Sequence, residues 1–213
     1  NSIATVDASG NVTGVAAGTT SIYYDIIAGS CTTSVSKSIT VNANPTATAG
    51  SALSAICQSG TSAAMGGSVG GSATGGTWSG GAGSWTNANN PSTATYTAGA
   101  SESGSITLTL TTSGGSCGTT TATKSITVNP NPTANTGSAL SAICQGATSA
   151  AMGGSVGGGA TGGTWSGGAG SWTNASNPST ATYTAGTSES GSITLTLTTS
   201  GGSCGTTTAT KSI

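Results

Sequence analysis

Five cysteines are the residues of this chain best suited to covalent chemistry, and four of them repeat a spacing. Cys57 and Cys117 stand 60 positions apart, and so do Cys144 and Cys204. One such pair per stretch of nearly identical sequence suits disulfides better than metal. A zinc site draws on closely spaced thiolates and imidazoles, and the chain has no histidine and no C-x-x-C. The expected pairing is Cys57 with Cys117 and Cys144 with Cys204, each inside its own repeat, in an oxidising compartment. Closing a loop of that length is worth about 4 kcal/mol in the chain-entropy picture. Cys31 is left over and is expected to be unpaired.

The remaining side chains offer little to a reaction. Charge is confined to Lys37, Lys124, Lys211, Asp7, Asp25, Glu102 and Glu189. A net charge of −1 gives no field to steer nucleic acid or anionic lipid, and no apolar run approaches the length of a membrane span. Proton transfer needs a tuned histidine, carboxylate or lysine in a pocket. Each repeat has one glutamate and one lysine, and a Ser–His–Asp set is impossible. The glycine runs at Gly70-Gly71, Gly75-Gly76 and Gly80-Gly81 lack the Lys-Ser/Thr ending of a phosphate loop. Calcium wants several carboxylates, and the two repeats contain no aspartate. The chain is therefore not expected to be an enzyme, and no catalytic, cofactor-binding or metal-binding residue is assigned. No cofactor, nucleic-acid partner or membrane span is expected.

The elements that hold these residues follow from a repeat. Residues 46–126 and 133–213 align without a gap and differ at seven of 81 positions (48, 49, 59, 60, 72, 89 and 100). A register this long means tandem domains rather than a solenoid of 20–50-residue units. The lysine-bearing phrase at 37–41 returns at 124–128, so residues 1–43 read as the C-terminal part of a truncated domain. Residues 44–130 and 131–213 read as two full repeats, the second ending inside its last strand. Alternation in "SGSITLTLTT" (103–112) and "TATKSITV" (121–128) marks strands with one buried face. "STATYT" (92–97) is a further strand candidate, as are the short stretches around Ile56, Val69, Trp78 and Trp85. About seven short strands per 87 residues predict an all-β chain of immunoglobulin-like sandwiches.

Serine, threonine and glycine fill more than half of the chain, so the core must be thin. The phrase "GGTWSGGAGSWTNA" at 75–88 recurs at 162–175 and contains all four tryptophans. One large ring can plug a sandwich lined by Ala, Val and Thr. Trp78 and Trp165 are the candidate plugs, with Tyr96 and Tyr183 in the core. Trp85 and Trp172, among Ser and Asn, are the candidates for surface contact, including sugar stacking. Lys124 falls in phase with Ile126 and Val128. It reads as an inward-leaning charge that keeps an edge strand from pairing with another. A local bulge that turns it outward is the first alternative, and a Lys–Asn isopeptide bond promoted by Glu102 is the second.

The stretch "IATVDASGNVTGVAAGTTSIYY" (3–24) carries the pattern V-D-x-S-G-x-V-T-G-x-x-x-G. It resembles the C-terminal half of bacterial Ig-like group 2 domains of invasin- and intimin-type surface proteins. The repeats, with "AICQ…SVGG…GGTWS…ATYTAG…GSITLTLTTSGG", are similar to the Ig-like and PKD-like repeats of giant Bacteroidota adhesins, gliding-motility adhesins among them. The resemblance implies export, cell-surface display and no catalysis. The linkers "VNANPTA" (41–47) and "VNPNPTA" (128–134) carry Pro45, Pro130 and Pro132, which favour stiff, extended joints. The expected role is a structural stalk segment of an extracellular bacterial adhesin or fibre. Its expected partners are neighbouring repeats of the same chain and other copies in a filament. A carbohydrate-binding module and an ice- or crystal-binding repeat are the alternatives.

Overall fold

Residues 2–213 are described by a computed structural model, and every regular element among them is a β-strand. The first unit holds β1 (Ala4–Val6), β2 (Val12–Gly14), β3 (Gly18–Ala28) and β4 (Cys31–Val41), paired antiparallel as β1–β2 and β3–β4. The Asp7 carboxylate closes the β1–β2 turn by accepting from the amides of Ser9 and Asn11, each at 2.9 Å. That is why V-D-x-S-G-x-V forms a hairpin: an aspartate side chain stands in for a backbone acceptor.

The middle repeat holds β5 (Thr46–Thr48), β6 (Ile56–Cys57), β7 (Ser68–Gly70), β8 (Gly75–Ser79), β9 (Ser84–Thr86), β10 (Thr95–Thr97), β11 (Gly104–Ser113) and β12 (Thr121–Asn129). Its main sheet runs β6-β12-β11-β8, flanked by the pairs β5–β7 and β9–β10. All pairings are antiparallel except β6 with β12, where Ile56 lies beside Val128 and Cys57 beside Asn129. The last repeat holds β13 (Pro132–Asn135), β14 (Ser155–Gly158), β15 (Gly162–Ser166), β16 (Ser171–Thr173), β17 (Thr182–Thr184), β18 (Thr194–Ser200) and β19 (Thr208–Ser212). Its sheet runs β15-β18-β19. The strand candidate 92–97 shortens to Thr95–Thr97, because the Asn90 carboxamide accepts from the Ser92 and Thr93 amides and holds that stretch in a turn.

Alternation puts Leu108, Leu110, Ile126 and Val128 in the core of the middle repeat, each at 1% exposure or less. They close around Trp78, whose indole N–H donates to Pro91 O at 2.9 Å. Trp165 sits alike, donating to Pro178 O at 2.9 Å. Tyr96 and Tyr183 are fully buried. Trp85 and Trp172 are half-buried rather than displayed. Trp85 stacks on Trp78 at 6.0 Å between centroids and leans on Tyr96 at 5.1 Å, and its N–H donates to Gly80 O at 3.1 Å. Trp172 repeats those contacts with Trp165 and Tyr183. Trp85 and Trp172, the candidates for surface contact, thus pack on the buried Trp and Tyr of their repeats while part of each side chain stays exposed.

The glycine-rich phrase is what lets that trio close. Gly81 holds φ = +72°, and a Cβ there would stand 2.0 Å from Tyr96 Oη. Gly67 presents bare backbone to Trp78, where a Cβ would come within 2.8 Å of Cζ2. Aromatic rings are thus seated directly against main chain. Among its described residues the first unit has no comparable plug. Ala4 is its buried apolar residue, while Tyr23, Tyr24, Ile26, Ile27 and Val35 are exposed.

Gly81→Ala should destabilise the middle repeat by about 2–3 kcal/mol, combining overpacking with a left-handed conformation that alanine resists. Thermal unfolding followed by tryptophan fluorescence reads it. A shift no larger than that of an exposed serine substitution would contradict the close seat of Tyr96.

Candidate functional site

The ionisable groups of the repeats are spent on architecture. Lys124 points inward from β12, in phase with Ile126 and Val128, and its Nζ donates to Ser51 O at 2.8 Å and Met65 O at 2.6 Å. The ammonium lies 5.6 Å from the Trp78 ring centroid, within cation–π reach. Lys211 makes the same bonds to Ser138 O and Met152 O and stands 5.5 Å from Trp165. Burial pushes both lysines below their ordinary pKa. The inward lysine therefore clasps two backbone segments over the indole. It does not meet Glu102, so the isopeptide reading loses its promoter.

Glu102 is occupied elsewhere. Its carboxylate accepts from the Ala82 amide at 2.8 Å, the Gly99 amide at 3.0 Å and the Tyr96 hydroxyl. Tyr96 Oη in turn accepts from the Gly83 amide at 2.9 Å. Glu189 holds Ala169, Gly186 and Tyr183 in the same way. Burial raises the Tyr96 pKa, and the bond to Glu102 raises it further. Burial pulls Glu102 upward too, but the Tyr96 hydroxyl and the two amides outweigh it and its pKa is lowered. For Glu189 the Tyr183 hydroxyl and the equivalent amides of Ala169 and Gly186 lower it.

The cysteines carry the main departure from the sequence reading. Cys57 is bonded to Cys204, with Cα atoms 5.6 Å apart, across 147 positions and between two repeats. Cys117 and Cys144 are free and exposed, as is Cys31. The expected pairs Cys57–Cys117 and Cys144–Cys204 are thus replaced by one bond between repeats. The reason lies in β12. Cys57 pairs with Asn129 at its C-terminal end, whereas Cys117 sits in the loop before its first residue, Thr121. Nine extended residues separate them, about 30 Å at 3.3 Å per residue, while a disulfide tolerates Cα atoms only about 4.4–6.8 Å apart. Stacking one repeat on the next brings the trailing end of the first to the leading loop of the second, and there Cys204 waits.

That junction is the candidate functional site. The linker leaves β12 at Asn129 and enters β13 at Pro132. Gln58 clamps it from the side: its amide donates to Asn129 O at 3.0 Å, and its Oε1 accepts from the Asn131 amide at 2.9 Å. Cys204 Sγ lies 3.6 Å from Asn129 O. Gly158 turns back against the linker so closely that a Cβ would meet Asn131 O at 2.0 Å. Proline, carboxamide, glycine and disulfide together leave the joint few ways to bend. Gln58 and Asn131 were not singled out by sequence. The signal was present in "AICQ", kept at 55–58 and 142–145, and in the N-x-N-P that both linkers share at 42–45 and 129–132. Among the described residues no group of three or more metal-capable side chains occurs.

Two outcomes follow. Non-reducing peptide mapping should recover Cys57 joined to Cys204; recovery of Cys57–Cys117 would mean the repeats are stapled internally. Stability should also fall in acid. Carboxylates whose pKa is lowered in the folded state stabilise it above their ordinary value of about 4.3, and that contribution is lost as pH falls through the lower folded value. Tryptophan fluorescence reports both repeats, so its melting temperature should hold from pH 7 to about 5 and drop below about pH 4. The double substitution Glu102→Gln and Glu189→Gln should lower it at pH 7 and flatten the acid limb; an unchanged acid limb would assign it elsewhere.

No family model matches the chain, and no curated protein is similar to it. Among solved structures, extracellular cadherin domains 3–6 of protocadherin gamma B2 are similar at a TM-score of 0.44 and 12% identity, over 99% of this chain and 61% of that one. The extracellular domain of protocadherin gammaB4 is similar at 0.44 and 14%, over 99% of this chain and 41% of the other. Domains 4–9 of the surface layer protein SbsC follow at 0.30 and 16%, over 98% and 37%. The chain spans less than two thirds of each of these.

Proposed function

We propose that this chain is a rod segment of an extracellular bacterial surface fibre, a structural stalk that holds adhesive parts away from the cell. The observation that carries the reading is the joint, where two repeats are locked end to end by the Cys57–Cys204 bond and by Gln58 on the linker. A disulfide at that place suits an oxidising, extracellular setting. The resemblance of residues 3–24 to bacterial surface domains supports the cell-surface assignment. Each repeat's lysine and glutamate already has structural partners, which leaves no tuned acid–base group and supports a role without catalysis. Partners in this reading are further repeats and other copies of the chain. Adhesion then comes from a distal part or from many weak contacts acting together.

One observation favours a second reading, an ice- or crystal-binding surface. On the outer face of the middle sheet, Thr107, Thr109 and Thr111 of β11 lie opposite Ser125, Thr123 and Thr121 of β12, and Thr109 and Thr111 also lie opposite Ser79 and Thr77 of β8. This is a three-strand lattice of hydroxyls at sheet spacing.

Small-angle scattering should return a stiff rod whose length stays fixed across salt concentrations, and a glycan array should show no tight ligand. One-to-one binding of a defined ligand by each repeat would replace the stalk with a binding module. Thermal hysteresis in the same solution would favour the hydroxyl lattice.

A further inference from the structure

The two cysteines of the joint come from two different positions of the repeat. Cys57 is a trailing-end cysteine, and its copy 87 positions on is Cys144. Cys204 is a leading-loop cysteine, and its copy 87 positions back is Cys117. We propose that Cys144 and Cys117 are open halves of the same inter-repeat disulfide, and that each takes as its partner the complementary cysteine of another repeat docked head to tail. Cys144 takes a leading-loop thiol of the Cys204 type, and Cys117 takes a trailing-end thiol of the Cys57 type.

Both positions are already set for this bond. Cys117 Sγ lies 3.7 Å from Asn42 O, and bonded Cys204 Sγ lies 3.6 Å from Asn129 O, its equivalent. The linker rests in the same cradle at both joints: a Cβ on Gly71 would meet Asn44 O at 1.9 Å, and one on Gly158 would meet Asn131 O at 2.0 Å. The leading loop therefore presents its sulfur to the linker in one pose, bonded or free. At the other end, Cys144 opens a turn closed by Ala147 N to Cys144 O at 3.0 Å, as Cys57 opens one closed by Gly60 N to Cys57 O at 2.8 Å. Beside Cys144 is an open groove lined by Ile143, Gln145, Ala185, Glu189 and Ile213. In the middle repeat the same place is filled, because Val128 and Asn129 pair there with Ile56 and Cys57. Cys117 and Cys144 stand at opposite ends of the two-repeat rod, so neither serves the other within one chain.

The chemistry balances as an ordinary exchange. A thiolate attacks the disulfide of a small oxidant or exchange protein, and the resulting mixed disulfide is attacked by the second thiolate. The protein gains one S–S bond and loses two protons and two electrons; the oxidant's disulfide is reduced to two thiols. The bond is a property of the joint rather than of either core, and it goes beyond the stalk reading without depending on it.

The test lengthens the chain by appending its own residues 127–213 after Ile213, which continues the repeat in register. The lengthened protein has two added cysteines, copies of Cys144 and Cys204. Peptide mapping under non-reducing conditions should join Cys144 to the added copy of Cys204 while Cys57 remains joined to Cys204. Titration of denatured, unreduced protein should still find three thiols, the number free in the 213-residue chain, because the two new sulfurs arrive as one bond. Five thiols, or Cys144 joined to any other cysteine, would overturn the proposal. Cys144→Ser in the lengthened chain should leave the added copy of Cys204 titratable with the melting temperature of the repeats unchanged. A collapsed melting temperature would instead make Cys144 part of the fold. Replacing residues 1–43 by a copy of 44–130 applies the same mapping to Cys117, which should then join the added copy of Cys57. A Cys144–Cys144 or Cys117–Cys117 bond between separate molecules would overturn the assignment of complementary partners.

Discussion

Each repeat depends on one constraint: a single cluster of three aromatic rings has to fill a sandwich whose other residues are mostly Ser, Thr, Gly and Ala. Rings of that size bury on the order of 150–250 Å² each, so the few present dominate the apolar burial. For them to close on one another, the surrounding chain must come within van der Waals distance of the ring edges. Gly67 and Gly81 do this by having no side chain. The polar rim of the cluster must then be satisfied. Pro91 O takes the Trp78 N–H, Gly80 O takes the Trp85 N–H, and Glu102 takes the Tyr96 hydroxyl. The sole lysine of the repeat covers the indole from the open side. Aromatic, glycine, glutamate and lysine are therefore one device, which accounts for their travelling together through the duplication.

A core of this kind does not need an internal staple, and that frees the cysteines for the ends. The parallel pairing of β6 with the last residues of β12 carries Cys57 to the trailing end, next to the outgoing linker. Gln58 follows directly and reaches the linker backbone. The short run Ile56-Cys57-Gln58 thus performs three tasks in sequence: it touches the core, supplies a covalent bond, and clamps the connection to the next repeat.

Much of this was legible in the sequence. The alternation at 103–112 and 121–128 specified β11 and β12, because one buried face forces a period of two. Trp78 announced itself as a plug by its isolation among small residues. Lys124 was readable as inward-facing, though its partners were not, since backbone carbonyls at Ser51 and Met65 carry no signature in the letters. Trp85 stands among Ser and Asn, which suggest a surface; the letters do not show that the β9–β10 pairing also folds it onto Tyr96. The disulfide was misread for a topological reason. Equal spacing within two repeats cannot distinguish a bond inside each from a bond between them; only the 30 Å run of β12 does.

The inter-repeat bond also changes how tension would travel through the molecule. A force applied at the two ends reaches Cys57, crosses to Cys204 through sulfur, and continues to the terminus. The 147-position span between them is a closed loop outside the load path. Nearly all of the middle repeat's sheet and most of the last repeat's sheet lie in that loop. Oxidised, the chain would present two short stretches to the pull and shelter the rest; reduced, it would release the loop as reserve length. A backbone break anywhere within the loop would leave the two ends of the molecule still connected, a tolerance to damage that does not depend on how stable either repeat is.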